Sequence, residues 1–357
     1  MPKVITDLTI KEINDLVDSL GEPLYRARQL LGWVYQKLAF SYDEMTDLPL
    51  AFRRKLAEQA MLHNLMPVHV ANARDGTVKI LFRLNDSKTV ETALMSYPVG
   101  KGRRRYTICV STQVGCPIGC SFCATGQQGF ERNLTAGEII DQVLYFARQL
   151  LDRGNGREGE WINNIVFMGM GEPFANYDNL WQAIEMLNSP DAFGLSSRSM
   201  TISTSGLLPG IKRLSGEKLQ VGLAISLHAS NNSLRNRLVP INKKYPLDEL
   251  IPACQEYFKK TGRRVSFEYV LLENVNDSVD QAQSLAELIR GMNCHVNLIV
   301  ANDITNQTFH PSPHNKVIAF QRVLKVKGIT CTLRQSRGQD IDAGCGQLRS
   351  RLINSIK

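Results

Sequence analysis

Apolar and polar positions change their period twice along this chain. Over the first sixty residues they recur at helical spacing. DLTIKEINDLVDSLG (7–21) predicts a helix stopped by Gly21, YRARQLLGWVYQKL (25–38) a second with basic residues on its polar side, and LPLAFRRKLAEQA (48–60) a third. The period then falls to two. MPVHVANA (66–73), TVKILFRL (77–84) and TVETALMSY (89–97) predict strands, with turn signals at Arg74-Asp75-Gly76 and Asn85-Asp86-Ser87. This small antiparallel piece is expected to bridge the two ends of the chain.

From about residue 106 a βα rhythm begins. Strands are predicted at YTICVST (106–112), NIVFMG (164–169), SMTISTS (199–205), GLAISLH (222–228), RVSFEYVLL (264–272), HVNLIVA (295–301) and ITCTLRQ (329–335). Helices separate most of them. LTAGEIIDQVLYFARQLL opens with Thr135 and Glu138, a capping box, and YPLDELIPACQEYFKKTG ends on Gly262. SVDQAQSLAELIRGM starts at Ser278, and SPHNKVIAFQRVLKVKG runs from Ser312-Pro313 to Gly328. The polar stretch DRGNGREGEW (152–161) reads as a loop. Strands alternating with helices imply a parallel sheet, and six units fall short of the eight of a closed barrel. The predicted fold is therefore α/β: an incomplete, TIM-like (βα)6 barrel with a small N-terminal helical domain and a short β extension. The expected parts are 1–62, helical and accessory; 63–101, β-rich and connecting; 102–340, the barrel; and 341–357, a C-terminal segment.

Charge adds a possible kind of partner. With 42 Lys and Arg against 34 Asp and Glu, the 357-residue chain carries +8. The bases cluster: Arg53, Arg54 and Lys55; Lys101, Arg103, Arg104 and Arg105; Lys243 and Lys244; Lys259, Lys260, Arg263 and Arg264. One such cluster is ordinarily a solvated face, whereas several on a basic chain point to nucleic acid. No apolar run approaches the roughly 18 residues of a membrane span, and MPKVITDLTIKEINDL lacks the apolar region of a signal peptide. The expected setting is the cytoplasm, with no membrane partner. Disulfides rarely persist there, so the 8 cysteines read as metal ligands, catalytic thiols or core residues.

Three of them stand apart. GCPIGCSFCATG (115–126) holds Cys116, Cys120 and Cys123 in a C-x3-C-x2-C spacing just after the first barrel strand. Active sites of such barrels sit at the C-terminal ends of the strands. Zinc usually takes paired cysteines and a fourth ligand in register, and neither His nor Cys lies in the following turns. An iron–sulfur cluster normally takes four thiolates; three would leave one iron open.

This loop, after the first strand of a βα barrel, resembles the radical S-adenosylmethionine (SAM) superfamily. The resemblance implies a 4Fe–4S cluster held by Cys116, Cys120 and Cys123, with SAM chelating the open iron. MGMGEP (168–173) resembles that superfamily's GGE-type motif, which implies Gly171 and Glu172 at the SAM ammonium. STSG (203–206) and SLHAS (226–230) end the next strands, and Asn302 ends the sixth. Ser203, Ser226, Leu227, His228 and Asn302 are the further SAM contacts implied.

Two distant stretches narrow the resemblance. GQDIDAGCGQLRS (338–350) is similar to the C-terminal signature of the RlmN/Cfr family of radical SAM RNA methyltransferases, and GEPLYRARQLLGWVYQK with DEMTDLP is similar to the N-terminal domain of its RlmN branch. QVGCPIGCSFCATGQQGFERNLTAGEI matches the same family, so the likeness spans nearly the whole chain. It implies methylation of carbon 2 of an adenosine in 23S ribosomal RNA, and of adenosine 37 in some transfer RNAs, at the expense of two SAM molecules. Cys345 corresponds to a methyl-carrying cysteine, Cys109 to a thiol that resolves the protein–RNA crosslink through a transient disulfide with Cys345, and Glu91 to the proton acceptor. A reduced flavodoxin or ferredoxin-type electron donor and a monomeric state are implied as well.

Cys254, Cys294 and Cys331 lie in apolar contexts and read as core. One departure is visible: the family usually has a proline and then Asn-Pro after VNLI, where this chain has HVNLIVANDITNQ. The catalytic residues do not separate carbon 2 from the Cfr-type carbon 8. From a different class, a metal-stabilised RNA-binding protein without catalysis predicts bound zinc and no role for Cys109, Glu91 or Cys345.

Overall fold

Thr9 starts the first helix by a reciprocal cap. Its hydroxyl accepts from the Glu12 N–H, and the Glu12 carboxylate accepts from the Thr9 N–H. The helix, Ile10–Ser19, buries Ile13, Leu16 and Val17. Tyr25–Leu31 follows and passes into a π-helical turn at Gly32–Gln36, so the second predicted helix changes form half-way. Leu50–Gln59 completes the helical module. A short parallel pair, β1 (Lys3–Val4) and β2 (Ala60–Met61), joins its two ends. The structure is a computed structural model and describes residues 3–100, 104–153, 161–302 and 309–348. Lys101 and Arg103, most of the polar stretch 152–161, the loop beyond Asp303 where the chain departs from its family, and the end of the C-terminal segment lie outside the described residues.

Three antiparallel strands come next: β3 (Leu65–Asn72), β4 (Val78–Leu84) and β5 (Thr89–Pro98). Their turns use a positive φ at Gly76 and at Ser87. β5 pairs antiparallel with β6 (Arg104–Cys109), the first barrel strand. The extension is therefore continuous with the barrel sheet. A hairpin of β7 (Gln113–Gly115) and β8 (Phe130–Asn133) brackets the cysteine loop. The barrel continues with β9 (Ile162–Phe167), β10 (Met200–Thr204), β11 (Gly222–Ser226), β12 (Val265–Leu271), β13 (Cys294–Val300) and β14 (Cys331–Arg334). In this ten-stranded sheet the order is β14-β13-β12-β11-β10-β9-β6-β5-β4-β3. From β6 onward all pairings are parallel.

Helices cover the outer face, as a parallel sheet requires. Ala136–Arg153 begins with the Thr135–Glu138 capping box, and Leu247–Thr261 stops at Gly262 with φ 67°. The helix Tyr177–Asn188, not singled out from sequence, buries Leu180, Trp181, Ile184 and Leu187 against the same sheet. His63 fastens the N-terminal module to the barrel: its Nδ1 lies 2.8 Å from the Asp141 carboxylate and its Nε2 3.0 Å from the Ala39 carbonyl.

The chain after β14 turns back across the open side of the barrel. Gly338 donates its N–H to the Asp75 carboxylate (3.0 Å), Lys79 donates to the Asp342 carbonyl (3.1 Å), and Ala124 donates to the Gly346 carbonyl (2.8 Å). These contacts bring the β extension, the cysteine loop and the C-terminal segment together.

Candidate active site

The cysteine loop is shaped by backbone bonds. Cys116 donates its N–H to Gly129 across the hairpin (2.8 Å), Cys123 donates to Cys120 (3.2 Å), and Ser121 reaches the Leu238 carbonyl (3.1 Å). Cys116, Cys120 and Cys123 thereby line one pocket, with Ile118 and Phe122 as apolar shelter. Burial pushes the Cys116 thiol up to about 12, and burial followed by the charges of Cys123 and Cys116 raises Cys120 well above the ordinary thiol range. Among the described residues no three His, Cys, Asp or Glu side chains are placed to hold a metal ion. The donor chemistry nevertheless fits an iron–sulfur cluster: three thiols on one wall of a sheltered pocket, with the acidic neighbour Glu172 already engaged by protein donors.

The strand ends supply the rest of that pocket. Gly171, Glu172, Ser203, Ser226, His228 and Asn302 all line it. Gly171 has φ 108°, and a Cβ there would fall 2.7 Å from the Gln113 side chain, so both conformation and packing demand glycine. The Glu172 carboxylate accepts from the Ser205 N–H and hydroxyl, both at 2.7 Å, and from the Phe174 N–H at 3.1 Å. Burial raises its pKa and those hydrogen bonds oppose the rise. The Ser203 and Ser226 hydroxyls lie 3.3 Å apart.

His228 sits at φ 58° and accepts the Val270 N–H on Nδ1 at 3.1 Å. Burial, with help from the Arg235 charge, lowers its pKa to about 3. The imidazole is therefore neutral, with its proton on Nε2. Leu227 differs from the other predicted contacts: just past the end of β11, its side chain is packed in the core. Asn302 Nδ2 donates to the Cys345 carbonyl (3.2 Å) and its Oδ1 accepts from Gln339 (2.9 Å). A Cβ on Gly344 would meet that amide at 2.4 Å, so glycine permits the contact.

Cys345 lines this pocket and also a second cavity of about 580 Å³ inside the barrel, where Cys109 lies. Its surface is open to the cavities while protein surrounds it, and that enclosure raises its thiol pKa. Burial pushes Cys109 up to about 12, with the Cys345 charge adding to the rise and Arg334 opposing it. Glu91 lines neither cavity. It is buried and paired with Lys79 at 3.0 Å, on the sheet face that also carries Cys109, since Ala93 sits opposite Cys109 in register and Glu91 lies two positions along.

Two polar residues escaped the sequence reading because they sit within apolar runs or helices. Glu268 on β12 lines the cluster-side pocket; its Oε1 accepts from Asn297 (2.7 Å) and its Oε2 lies 3.7 Å from Arg334. Arg235 is fully buried and donates to the carbonyls of Leu227, Ser205 and Ser226 and to the Asn242 amide oxygen. It ties together the loops that carry Ser203, Ser226 and His228. A buried arginine with four oxygen acceptors would have been recognisable only from its neighbours in space.

Similarity to known proteins matches this geometry. Residues 4–62 match the family model described as ribosomal RNA large subunit methyltransferase N-terminal domain, and residues 110–286 match the radical SAM superfamily. A curated relative from Chloroflexus aurantiacus, "Probable dual-specificity RNA methyltransferase RlmN", is 48% identical over 356 residues, covering 98% of this chain and 93% of that protein. The chain belongs to the RlmN family of radical SAM RNA methyltransferases. A relative of the same description from Moorella thermoacetica is 47% identical, with 95% of each chain covered. The crystal structure of a radical SAM methyltransferase from Sphaerobacter thermophilus superposes with a TM-score of 0.94 at 47% identity, covering 98% of this chain and 100% of that one. The protein is thus a SAM-dependent RNA methyltransferase built on the radical SAM barrel. No described helix is long and apolar enough to cross a membrane.

Proposed function

We propose that the enzyme methylates carbon 2 of an adenosine in 23S ribosomal RNA, and of adenosine 37 in some transfer RNAs, with the methyl group carried on Cys345. The observation that carries this reading is that Cys345 borders both cavities. On one side it meets the pocket of Cys116, Cys120, Cys123 and Glu172; on the other it shares the barrel interior with Cys109. The match of residues 4–62 to the ribosomal RNA methyltransferase N-terminal domain supports ribosomal RNA as substrate.

Cys116, Cys120 and Cys123 would hold one 4Fe–4S cluster, and that group with SAM supplies a 5′-deoxyadenosyl radical when bound. Gly171, Glu172, Ser203, Ser226, His228 and Asn302 orient SAM. Leu227 contributes through its backbone, whose carbonyl Arg235 fixes at 3.0 Å. Cys345 takes the methyl group of a first SAM on its sulfur. Loss of a hydrogen atom from that S-methyl group to the radical from a second SAM leaves a carbon radical on Cys345, which adds to the adenine ring. The adduct gives up one electron, which the cluster held by Cys116, Cys120 and Cys123 would take back, and Glu91 accepts the ring proton. Cys109 then attacks the Cys345 sulfur. The carbon–sulfur bond breaks, the released methylene carbon takes up a proton to become the methyl group, and a Cys109–Cys345 disulfide remains, to be reopened with two electrons and two protons from a dithiol reductant; the reduced flavodoxin or ferredoxin-type donor supplies the electron for SAM cleavage. Enclosure keeps both thiols protonated before reaction, so each is held inert until its step. The protein acts in the cytoplasm as a monomer.

The test is mass spectrometry of ribosomal and transfer RNA from cells lacking and re-expressing the protein. The expected result is 2-methyladenosine that disappears and returns. Appearance of 8-methyladenosine instead, or of no methylated adenosine, contradicts the reading.

A further inference from the structure

Resting on that reading, the structure also locates the substrate side of the reaction. The cavity behind Cys345 runs along the inner face of β6, from Arg105 near its start to Cys109 at its end. Three arginines line it, Arg105, Arg334 and Arg337, and among the described residues no carboxylate does. Tyr97 lies between two of them: the Arg105 guanidinium is 5.3 Å and the Arg337 guanidinium 5.0 Å from its ring centroid. Arg337 donates to the Asp75 carbonyl at 3.2 Å and lies 3.9 Å from the Asp75 carboxylate, Arg334 lies 3.7 Å from Glu268, and Arg105 has no carboxylate partner among the described residues. Deeper in, Thr107 and Asn164 present neutral donors and acceptors between the arginines and the cysteines.

A cavity with this gradient suits an anion at its mouth, a flat ring beside a tyrosine, and a polar heterocycle at its inner end. Arginine and aromatic groups together are the usual partners of single-stranded nucleotides, through phosphate pairing and base stacking. The inner end also borders both reactive thiols. We propose that Arg105 and Arg337 hold the phosphates of the single-stranded RNA substrate at the mouth of this cavity, with Tyr97 between them, and so direct the base toward Thr107, Asn164 and Cys345. SAM and the nucleotide then occupy opposite sides of Cys345, so one cysteine serves both without either ligand leaving its own pocket.

Two measurements test this with the full-length, cluster-loaded enzyme. The first compares Arg105→Gln, Arg337→Gln and a distant surface control, Arg322→Gln, using labelled SAM and protein-free 23S ribosomal RNA. Labelling of the protein by SAM alone reads the methyl-carrier step and reports on folding. Both cavity variants should label at the wild-type level while the KM for RNA rises about tenfold, the size of one lost charge-assisted hydrogen bond. The RNA binding constant should also depend less steeply on salt, by about one unit of log–log slope per lost phosphate contact. The control should change neither. Wild-type labelling with an unchanged KM in both variants overturns the nucleotide site and leaves the methyl-carrier reading standing. A wild-type enzyme that takes no methyl on Cys345 overturns that underlying reading instead. The second measurement needs no variant. Wild-type enzyme is photocrosslinked to 23S RNA transcribed with 4-thiouridine, and the modified peptides are mapped. Crosslinks within 95–109 and 331–348 are expected; crosslinks confined to 1–62 or to the outer helices overturn the proposal.

Discussion

Lys79 holds Glu91 at 3.0 Å, and the same ammonium donates to the carbonyl of Asp342, three residues before Cys345. The proposed proton acceptor and the proposed methyl carrier are thus linked through one lysine on β4. Both side chains are about a tenth exposed, at 11% and 8%. Lys79→Met would leave the Glu91 carboxylate buried beside an apolar side chain, which costs roughly 3–5 kcal/mol. Urea unfolding should show a loss of that order, and Lys79→Met with Glu91→Leu should recover most of it. A single variant that unfolds at the wild-type midpoint argues against a buried pair.

His63 makes the attachment of the N-terminal module depend on pH. Burial disfavours its charged form, but the Asp141 charge and hydrogen bond and the Ala39 carbonyl outweigh burial, so its pKa is raised in the folded protein. A raised pKa means that the folded state holds the proton more tightly than the unfolded chain. The contribution is complete below the unfolded value of about 6.5. It falls away as pH rises through the higher folded value. The stability difference between wild type and His63→Gln should be largest in mild acid and shrink toward alkaline pH. A difference that grows with pH reverses the sign of this linkage.

Glu172 has a structural duty beside its proposed contact with SAM. Its carboxylate satisfies Ser205, just after β10, and the Phe174 N–H in the turn that follows β9. Glu172→Ala should therefore lose both SAM affinity and stability, because buried donors left without partners cost about 1–3 kcal/mol each. Glu172→Gln keeps an acceptor oxygen while removing the charge. It should retain iron and lose less stability than Glu172→Ala, because its one oxygen still serves the Ser205 donors while the Phe174 N–H loses its acceptor, yet bind SAM about tenfold more weakly, as loss of a charge-assisted bond predicts. Wild-type SAM affinity in Glu172→Gln, measured by calorimetry, counts against the ammonium contact.

Arg235 fixes the loops that carry Ser203, Ser226 and His228 from behind. Burial lowers its pKa to about 10, which still leaves it charged at neutral pH. Arg235→Met should leave the Ser205, Ser226 and Leu227 carbonyls without this donor and lower the unfolding free energy by several kcal/mol, at about 1–3 kcal/mol per orphaned acceptor. Arg235→Lys should recover only part, because an ammonium lacks the planar fork that reaches acceptors on different loops. Equal recovery by lysine would show that charge alone matters.

Local rules made the barrel legible from sequence. The Thr135–Glu138 cap, the stop at Gly262 and the apolar runs of β9 to β13 each follow from nearest neighbours, and all appear in the structure. The cysteine loop was legible because its three cysteines lie within eight residues. Long-range relationships were not. The bond from Lys79 to Asp342 joins positions 263 apart, and the bonds from His63 to Asp141 and from Arg334 to Glu268 depend on strands and helices being assembled first. Leu227 shows the other limit: proximity in the SLH stretch placed it beside Ser226 and His228, while the chain, leaving β11 at Ser226, packs its side chain into the core. The seventh parallel strand, β14, was visible as an apolar run, but its partner segment across the barrel mouth carries no periodic pattern.

The central claim is that Cys345 carries the methyl group to RNA and that Cys109 releases the product. Cys109→Ala, loaded with cluster and supplied with SAM, a reductant and 23S ribosomal RNA, tests it most directly. The account predicts a protein–RNA adduct that survives denaturation, collapses on RNase treatment, and maps by mass spectrometry to the Cys345 peptide. Added thiols should release it poorly, since attack on that sulfur needs a positioned thiolate. Normal turnover by Cys109→Ala, with no covalent adduct, would contradict the account.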